Sequence, residues 1–522
     1  MQHKKGTFQL ICLIKELENI IKKKKTVSAF TEKAPFSHIT ETTENVVFLL
    51  MLLLVLMIKV FFIIYANPLP DEAYYWLWSK NIALSFFDHP PLATWEQSLL
   101  HNLSSNKYFI IRALPIVSLG TVLTIMIMWQ KYIFKSFDYN ICLKSVVLFL
   151  VFPIYNIFFS ISFPDHLLIT LLFASSFCLF LYFERNKKLK SGMHYWYLAV
   201  LFFSLAFLTK YNAVLFGIGV LAYFLYYKKQ ICGPSYGHIF ASILIIFFIQ
   251  MPVFLWNLSN DFASFSFHMI ERLDQGKEFS NVLRNIAGFL SGVLLAFSPV
   301  FLFNLRNNFF LENVSDDRKN IITMSKFIIV FSLSFCIFLC FFTNILYYWL
   351  IPAMVPLIPF VTNVLKEKSW QYLHIFYGMA ISLILVINVS VYPIGIFFGT
   401  VDRETAILFG WEKIVEVVDK EKKELGIEKV VFSDYRLGSL YIFHSHDFNA
   451  DVVMEERRTQ FDVWRGEENF FGKSTLIIAD DDFPIGQRIS SSFEKIEFVR
   501  DIEIRKGNKL VKKYQVFLGT NA

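Results

Sequence analysis

Acidic and basic side chains in this 522-residue chain gather at the breaks between long apolar segments. The first break carries Asp71 and Glu72, and Asp88 and His89 follow later in the same break. Carboxylates and an imidazole can move protons or bind a divalent cation. The four residues are therefore candidates for acid–base or metal chemistry. Structural alternatives stay open, because Asp71 and Glu72 also suit the first turn of a helix and Asp88 with His89 also suits a turn cap.

Four further polar residues lie at or near such breaks. Lys210 lies between two apolar segments and Arg112 just inside the second segment, where a cation needs an anionic partner or must extend towards the polar interface. Both are candidates for binding an anion. Asp165 is either a helix cap or a member of the same acidic cluster, and His268 is either an ordinary surface residue or a partner of Asp88 in holding a divalent metal ion.

The elements that must position these residues are transmembrane helices. Hydrophobic residues make up 55% of the chain and charged residues only 18%, whereas a soluble chain carries roughly 25% charge. This composition excludes a soluble enzyme, and it equally excludes collagen-like, coiled-coil and disordered chains. Segments near the ~20 residues that span a bilayer recur along the chain. Eleven apolar segments are predicted, at 46–65, 108–130, 142–161, 167–183, 196–208, 213–227, 238–256, 283–304, 327–343, 350–365 and 372–398.

The distribution of positive charge predicts the orientation of these helices. If the N-terminus is cytoplasmic, 23 Lys and Arg residues lie on the inner side and seven on the outer side. The net charge of +7 therefore indicates a membrane topology and no nucleic-acid partner. All the candidate residues then face outward. Segments 196–208 and 213–227 are taken as two short helices, since a single helix would place Lys210 at the bilayer centre.

Three regions follow from this pattern. Residues 1–45 form a basic cytoplasmic tail, and no cleavable signal peptide is predicted. Residues 46–398 form the transmembrane region, with an outer loop at 66–107. Residues 399–522 form a soluble mixed α/β domain on the periplasmic side, with a helix at 411–425 and strands at 429–432, 475–479, 496–504 and 510–517. No glycine-rich phosphate loop is present there, so no nucleotide cofactor is expected.

Several motifs together resemble the bacterial GT-C glycosyltransferases, in particular the lipid A aminoarabinose transferases and the protein O-mannosyltransferase-like enzymes. The matching stretches are Asp71-Glu72-Ala73-Tyr74-Tyr75-Trp76, Phe87-Asp88-His89-Pro90-Pro91, Phe163-Pro164-Asp165, Leu208-Thr209-Lys210-Tyr211, and Trp256-Asn257 through Ser264-Phe265. The resemblance implies a GT-C fold of about 11 or more transmembrane helices and an inverting transferase that uses a polyprenyl-phosphate sugar. It also implies that Asp71 is the catalytic base, and that Asp88 and His268 stand at or near metal-binding positions of the family. His89 replaces a lysine of the family motif.

The residues and the resemblance together predict a site at the outer face of the inner membrane. Asp71, Glu72 and Asp165 are assigned to catalysis, and Lys210, Arg112 and His89 to the donor phosphate. A divalent metal ion is expected to bind Asp88 and His268. The expected partners are the polyprenyl-phosphate donor, an envelope lipid or glycan acceptor, and membrane lipids. Alternatives are a protein O-mannosyltransferase-like enzyme, a flippase for lipid-linked sugars, and a noncatalytic membrane scaffold.

Overall fold

A computed structural model of the chain describes residues 35–134, 138–187, 192–227, 233–271, 279–310, 318–466, 472 and 474–521. Most of the predicted tail, residues 1–34, lies outside these ranges. The first helix runs from Pro35 to Tyr65, and its apolar span from Thr43 to Tyr65. The helix therefore begins eleven residues before the predicted segment, because it includes polar residues that no hydropathy signal marks.

The remaining helices of the transmembrane region account for the other ten predicted apolar segments. Seven helices of the described chain are long and apolar enough to cross a membrane, and a bent pair at Ser298 adds one more if it counts as a single span. Three shorter apolar helices complete the set, so the full number of crossings stays a prediction. The helices after the first span are Lys107–Phe134, Tyr139–Leu150, Pro153–Phe158, Pro164–Lys187, Met193–Phe207, Val214–Tyr226, Tyr236–Ser259, Ala263–Met269, Phe279–Phe297, Pro299–Leu305, Lys319–Leu339, the mixed α and 3-10 span Tyr347–Val364, and Lys368–Ser390.

Breaks within these helices follow the sequence closely. The predicted single segment 142–161 is two helices, which meet at Pro153, because proline has no amide hydrogen to donate to the preceding turn. Lys210 stands in extended backbone between Met193–Phe207 and Val214–Tyr226, as the two-helix prediction requires. Its side chain is therefore presented from a gap between helices.

The loop after the first span folds into the helix Pro70–Lys80, hereafter the loop helix, and the shorter helix Leu92–Leu99. Its aromatic residues suit a helix lying in the membrane interface, where the rings would contact lipid, but the structure packs these rings inside the protein. Tyr74, Trp76 and Trp78 are each at most 1% exposed, since residues of the chain's C-terminal end cover them.

The C-terminal region, residues 399–522, carries one mixed five-stranded sheet. The strands are β1 (Val430–Phe432), β2 (Ala450–Val452), β3 (Ser474–Asp480), β4 (Lys495–Lys506) and β5 (Lys509–Thr520), in the order β2-β1-β3-β5-β4. β1 pairs in parallel with β2 and β3, whereas β5 runs antiparallel between β3 and β4. The predicted strands are all present. β2 was missed because its three residues, Ala450-Asp451-Val452, include a carboxylate and do not form the apolar run that marks β1. The helices are Arg403–Ala406, Trp411–Leu425, Tyr435–Ser445, Gln460–Arg465 and Gln487–Ser490.

One apolar core joins the loop helix to this sheet region. The ring of Trp76 lies 5.0 Å from that of Phe443, and the ring of Tyr74 lies 4.9 Å from that of Tyr435. Lys107, at the start of the next span, donates a hydrogen bond to the carbonyl of Phe443. The C-terminal region is therefore packed directly on the outer loop that carries the predicted acids.

Candidate functional site

A cavity of about 790 Å³ lies where the transmembrane helices meet the C-terminal region. Its walls differ along their length. Apolar side chains from the membrane helices line one part, and charged or polar side chains line the other. The apolar part includes Phe207, Leu215, Val253, Phe254 and Phe335, whereas the polar part includes Asp71, Asp88, His89, Lys210, His268, Tyr435 and Arg457. A ligand with an apolar chain and a polar head fits this division.

Asp71 lies on the cavity wall in the first turn of the loop helix. Its carboxylate accepts a hydrogen bond from the hydroxyl of Tyr435 at 2.9 Å. Burial raises the pKa of the Asp71 carboxyl to about 6, the Tyr435 hydrogen bond opposes this rise, and the charge of Asp88 adds to it. A carboxylate with a pKa near neutrality is suited to accept a proton from a hydroxyl group.

Asp88 contacts both the loop helix and the C-terminal region. Its carboxylate accepts a hydrogen bond from the hydroxyl of Tyr74 at 3.1 Å, and it forms an ion pair with Arg457 of the C-terminal region. Tyr74 in turn accepts a hydrogen bond from the backbone amide of Gln460 at 2.7 Å. Asp88 therefore helps to dock the C-terminal region onto the loop.

The residues proposed to hold a metal ion do not fit that role. The Nε2 atom of His268 donates a hydrogen bond to the backbone carbonyl of Asp88 at 2.9 Å, and not to its carboxylate. The carboxylate of Asp88 is instead paired with a guanidinium, which occupies the place a cation would take. Within the described ranges, no group of three His, Cys, Asp or Glu side chains is close enough to hold a metal ion. The geometry thus disagrees with the metal assignment.

Lys210 and Asp165 form the second ion pair near the cavity. The ammonium of Lys210 donates to the Asp165 carboxylate at 2.6 Å, and it lies 4.6 Å from the centre of the Tyr348 ring. Asp165 is fully buried and is absent from the cavity wall, whereas Lys210 lines it. The lysine has the anionic partner that its position demands. Asp165 is therefore placed to hold Lys210 and not to contact a ligand, which does not fit its assignment to catalysis.

Glu72 and Arg112 are paired with each other away from the cavity. Glu72 is 0% exposed and accepts hydrogen bonds from Arg112 and from the amides of Leu69 and Ser162. Neither partner lines the cavity. Their predicted roles, catalysis for Glu72 and phosphate binding for Arg112, are therefore corrected, because each charge is already neutralised inside the protein. Glu72 instead caps the start of the loop helix, because its carboxylate accepts a hydrogen bond from the amide of Leu69, as the structural alternative predicts.

His89 is on the cavity wall, and its ring lies 5.8 Å from that of Tyr75. It remains a candidate for donor binding. Five of the predicted site residues therefore line this cavity, namely Asp71, Asp88, His89, Lys210 and His268.

Two residues of the site, Tyr435 and Arg457, were missed by the sequence prediction. Tyr435 follows β1 and Arg457 follows β2, two neighbouring parallel strands. Side chains just beyond the carboxyl ends of parallel strands meet at one edge, where ligands commonly bind. That rule is the signal that could have found them, but it required β2, whose sequence lacks the apolar run by which β1 was recognised.

Known proteins resemble this chain in sequence and in fold. Residues 88–256 match the family described as dolichyl-phosphate-mannose-protein mannosyltransferase. The lipid A galacturonosyltransferase RgtD of Rhizobium johnstonii is 28% identical over 200 residues, which are 37% of this chain and 38% of that protein. The match thus spans well under half of that relative.

Solved structures resemble the chain over most of its length. The crystal structure of ArnT from Cupriavidus metallidurans bound to undecaprenyl phosphate superposes with a TM-score of 0.59 at 13% identity, over 90% of this chain and 97% of that one. The apo state of the same protein gives a TM-score of 0.54 over the same shares, at 13% identity. The polytopic helical fold with a small C-terminal sheet region is therefore the GT-C fold. The matches to the mannosyltransferase family model and to the Rhizobium johnstonii protein, and the fold shared with ArnT, agree with the resemblance of this chain to the GT-C glycosyltransferases.

Proposed function

We propose that this protein is an inverting glycosyltransferase that moves a sugar from a polyprenyl-phosphate carrier to a lipid of the cell envelope, at the outer face of the inner membrane. One observation carries the proposal, namely a cavity with an apolar wall from membrane helices and a polar wall that holds Asp71 and Lys210. A prenyl chain fits the first wall and a sugar phosphate the second. The ArnT structure similar in fold was solved with undecaprenyl phosphate, which supports such a donor.

The transfer would require one bond to form and one to break. The hydroxyl oxygen of the acceptor attacks the anomeric carbon of the sugar, while the bond from that carbon to the phosphate oxygen breaks on the opposite face. The electron pair leaves with the polyprenyl phosphate, and the hydroxyl proton passes to the carboxylate of Asp71. Lys210, held by Asp165 at 2.6 Å, is placed to stabilise the charge on the departing phosphate.

A lipid acceptor is favoured over a protein acceptor by two observations. The relative from Rhizobium johnstonii is named for transfer to lipid A. In addition, apolar side chains of the membrane helices form a large part of the cavity wall, which suits ligands that stay in the outer leaflet. The alternative of a protein O-mannosyltransferase-like enzyme rests on the family model that matches residues 88–256.

Transfer by purified protein in detergent solution tests the proposal. Undecaprenyl-phosphate sugars and extracted envelope lipids would be incubated with the protein, and the lipids measured by mass spectrometry. A gain of one sugar mass on an acceptor lipid is expected. A flippase cannot act without a bilayer, so activity in detergent also excludes that alternative. Envelope lipids that keep every sugar mass in a deletion strain would contradict the proposal.

A further inference from the structure

Arg457 is a cation on the cavity wall, and it comes from the C-terminal region and not from a membrane helix. Its guanidinium carries five N–H donors. Among the residues that the structure describes, one nitrogen donates to the carboxylate of Asp88, and the others have no hydrogen-bond partner. The group lies 5.0 Å from the ring centre of Phe267 and 5.1 Å from that of Tyr435. Most of its donors are therefore available to a ligand in the cavity.

The segment that carries Arg457 is held firmly against the loop. The amide of Gln460 donates to the hydroxyl of Tyr74 at 2.7 Å, and its side-chain oxygen accepts from the amide of Phe87 at 2.8 Å. Thr459 and Asp462 bind each other in a capping box at the start of the next helix. The guanidinium is thus positioned before any ligand arrives, which limits the entropy lost on binding.

The position of Arg457 between the apolar and polar walls indicates which part of a prenyl-phosphate ligand it would contact. Phe267, under the guanidinium, belongs to the helix Ala263–Met269, and Phe265 of the same helix packs 5.9 Å from Phe254 on the apolar wall. Arg457 therefore stands where the apolar wall meets the polar one. The phosphate of a prenyl phosphate must lie at this boundary, because it joins the apolar chain to the sugar.

We infer that Arg457 binds the phosphate of the polyprenyl-phosphate donor, so that the C-terminal region supplies a catalytic residue and the site needs no metal ion for this task. The inference rests on the proposed function. As the bond from sugar to phosphate breaks, charge grows on the phosphate oxygens, and a planar guanidinium can bind two of them at once. Asp88 orients the guanidinium through its ion pair, while the remaining donors point to the phosphate.

Binding of undecaprenyl phosphate to the purified full-length protein in detergent tests this role. The ligand carries no sugar, so its affinity reports the phosphate and the chain alone. Arg457→Ala is expected to weaken the affinity about tenfold or more, and Arg457→Lys to recover part of the loss. The neighbouring Arg458 is exposed and absent from the cavity wall, so Arg458→Ala is the matched control and should bind like the wild type.

Two further measurements separate phosphate binding from a structural role. Asp88→Asn removes the negative charge but keeps an oxygen that can accept a hydrogen bond from Arg457 and hold its orientation. The affinity of this variant for undecaprenyl phosphate should therefore be equal to or higher than that of the wild type. If both variants weaken binding equally, Arg457 only supports Asp88 and the inference fails. Binding should also persist in excess EDTA. Binding that disappears with EDTA and returns with Mn²⁺ or Mg²⁺ would overturn the inference.

The sugar-transfer assay distinguishes failure of this inference from failure of the proposed function. If the wild type transfers sugar while Arg457→Ala binds undecaprenyl phosphate normally, the function stands and the inference is wrong. If no sugar is transferred by the wild type but binding still depends on Arg457, the phosphate site stands and the transferase proposal is wrong.

Discussion

The transmembrane region and the C-terminal region contribute to the cavity in different ways. The transmembrane region supplies the acid Asp71 and the cation Lys210 from breaks in apolar sequence, where polar residues are conspicuous. The C-terminal region supplies Tyr435 and Arg457 from loops that follow short strands. A charge in a membrane segment needs an explanation, whereas a charge in a soluble domain is ordinary. The same chemistry is therefore visible in the sequence of one region and hidden in that of the other.

Within the transmembrane region, a conspicuous charge does not always belong to the cavity. Lys210 lies between two apolar helices and Arg112 lies near the start of one, and both have carboxylate partners. Only Lys210 reaches the cavity. Conspicuous charge thus identifies residues that need partners, but only the packing shows which of them face a ligand.

The strongest test of the comparison is Asp71→Asn, which removes the proposed proton acceptor and keeps its shape. We expect kcat to fall by about 10²- to 10⁴-fold, with a much smaller change in donor affinity, because general base catalysis contributes a factor of this size. Steady-state transfer rates and undecaprenyl phosphate binding would measure the two effects. Full activity of the variant would mean that the acceptor group is already ionised, as a lipid A phosphate is, and that the base lies elsewhere or is not needed.

The next test concerns the buried pair of Glu72 and Arg112. Glu72→Gln should destabilise the protein by about 3–5 kcal/mol, since it leaves the guanidinium of Arg112 buried without its counter-charge. Thermal unfolding in detergent would measure this loss. Glu424→Gln is a suitable control, because the pair of Glu424 with Lys420 is exposed and its loss should cost about 1 kcal/mol or less. A stable but inactive Glu72→Gln would return Glu72 to the catalytic residues.

Much of the fold could be predicted from sequence because hydrophobicity determines it. Eleven apolar segments, the break at Lys210 and the helix Trp411–Leu425 follow from residue type and periodicity. The burial of Trp76 could not be predicted, since an aromatic helix beside a membrane suits the interface as well as a core. The pairing of Asp88 with Arg457 joins residues 369 positions apart, and no local pattern encodes such a contact.

A smaller effect is expected for Tyr435→Phe, which tests how the C-terminal region controls the acid of the loop. The Tyr435 hydroxyl lowers the pKa of Asp71 by binding its charged form, so its removal should raise that pKa further above about 6. A base must be deprotonated to act. Transfer by the variant should therefore fall about threefold at pH 6 and approach the wild-type rate at pH 8, since about 1 kcal/mol from one hydrogen bond corresponds to a pKa rise of about 0.7.

The control for that experiment is the acid limb of the wild-type pH profile. Activity should decline as the pH drops through about 6, because burial holds the pKa of Asp71 above that of an ordinary aspartate. Identical pH profiles for Tyr435→Phe and the wild type would show that Tyr435 does not act on the base.

The smallest effect is expected for substitution of His268. This substitution distinguishes a hydrogen bond to the Asp88 carbonyl from a metal ion held by both residues. If His268 only donates a hydrogen bond to the Asp88 carbonyl, His268→Ala should lower kcat/KM by about two- to tenfold, the worth of one such bond. His268→Gln, which keeps a donor, should lose less. A metal ligand behaves differently, because its loss removes a charge of +2 from the site, and added Mn²⁺ should then restore the wild type after chelation but not the variant. A loss of a hundredfold or more in His268→Ala, matched by EDTA treatment of the wild type, would show that a metal ion binds at Asp88 despite Arg457, and that both regions of the protein serve one cation site.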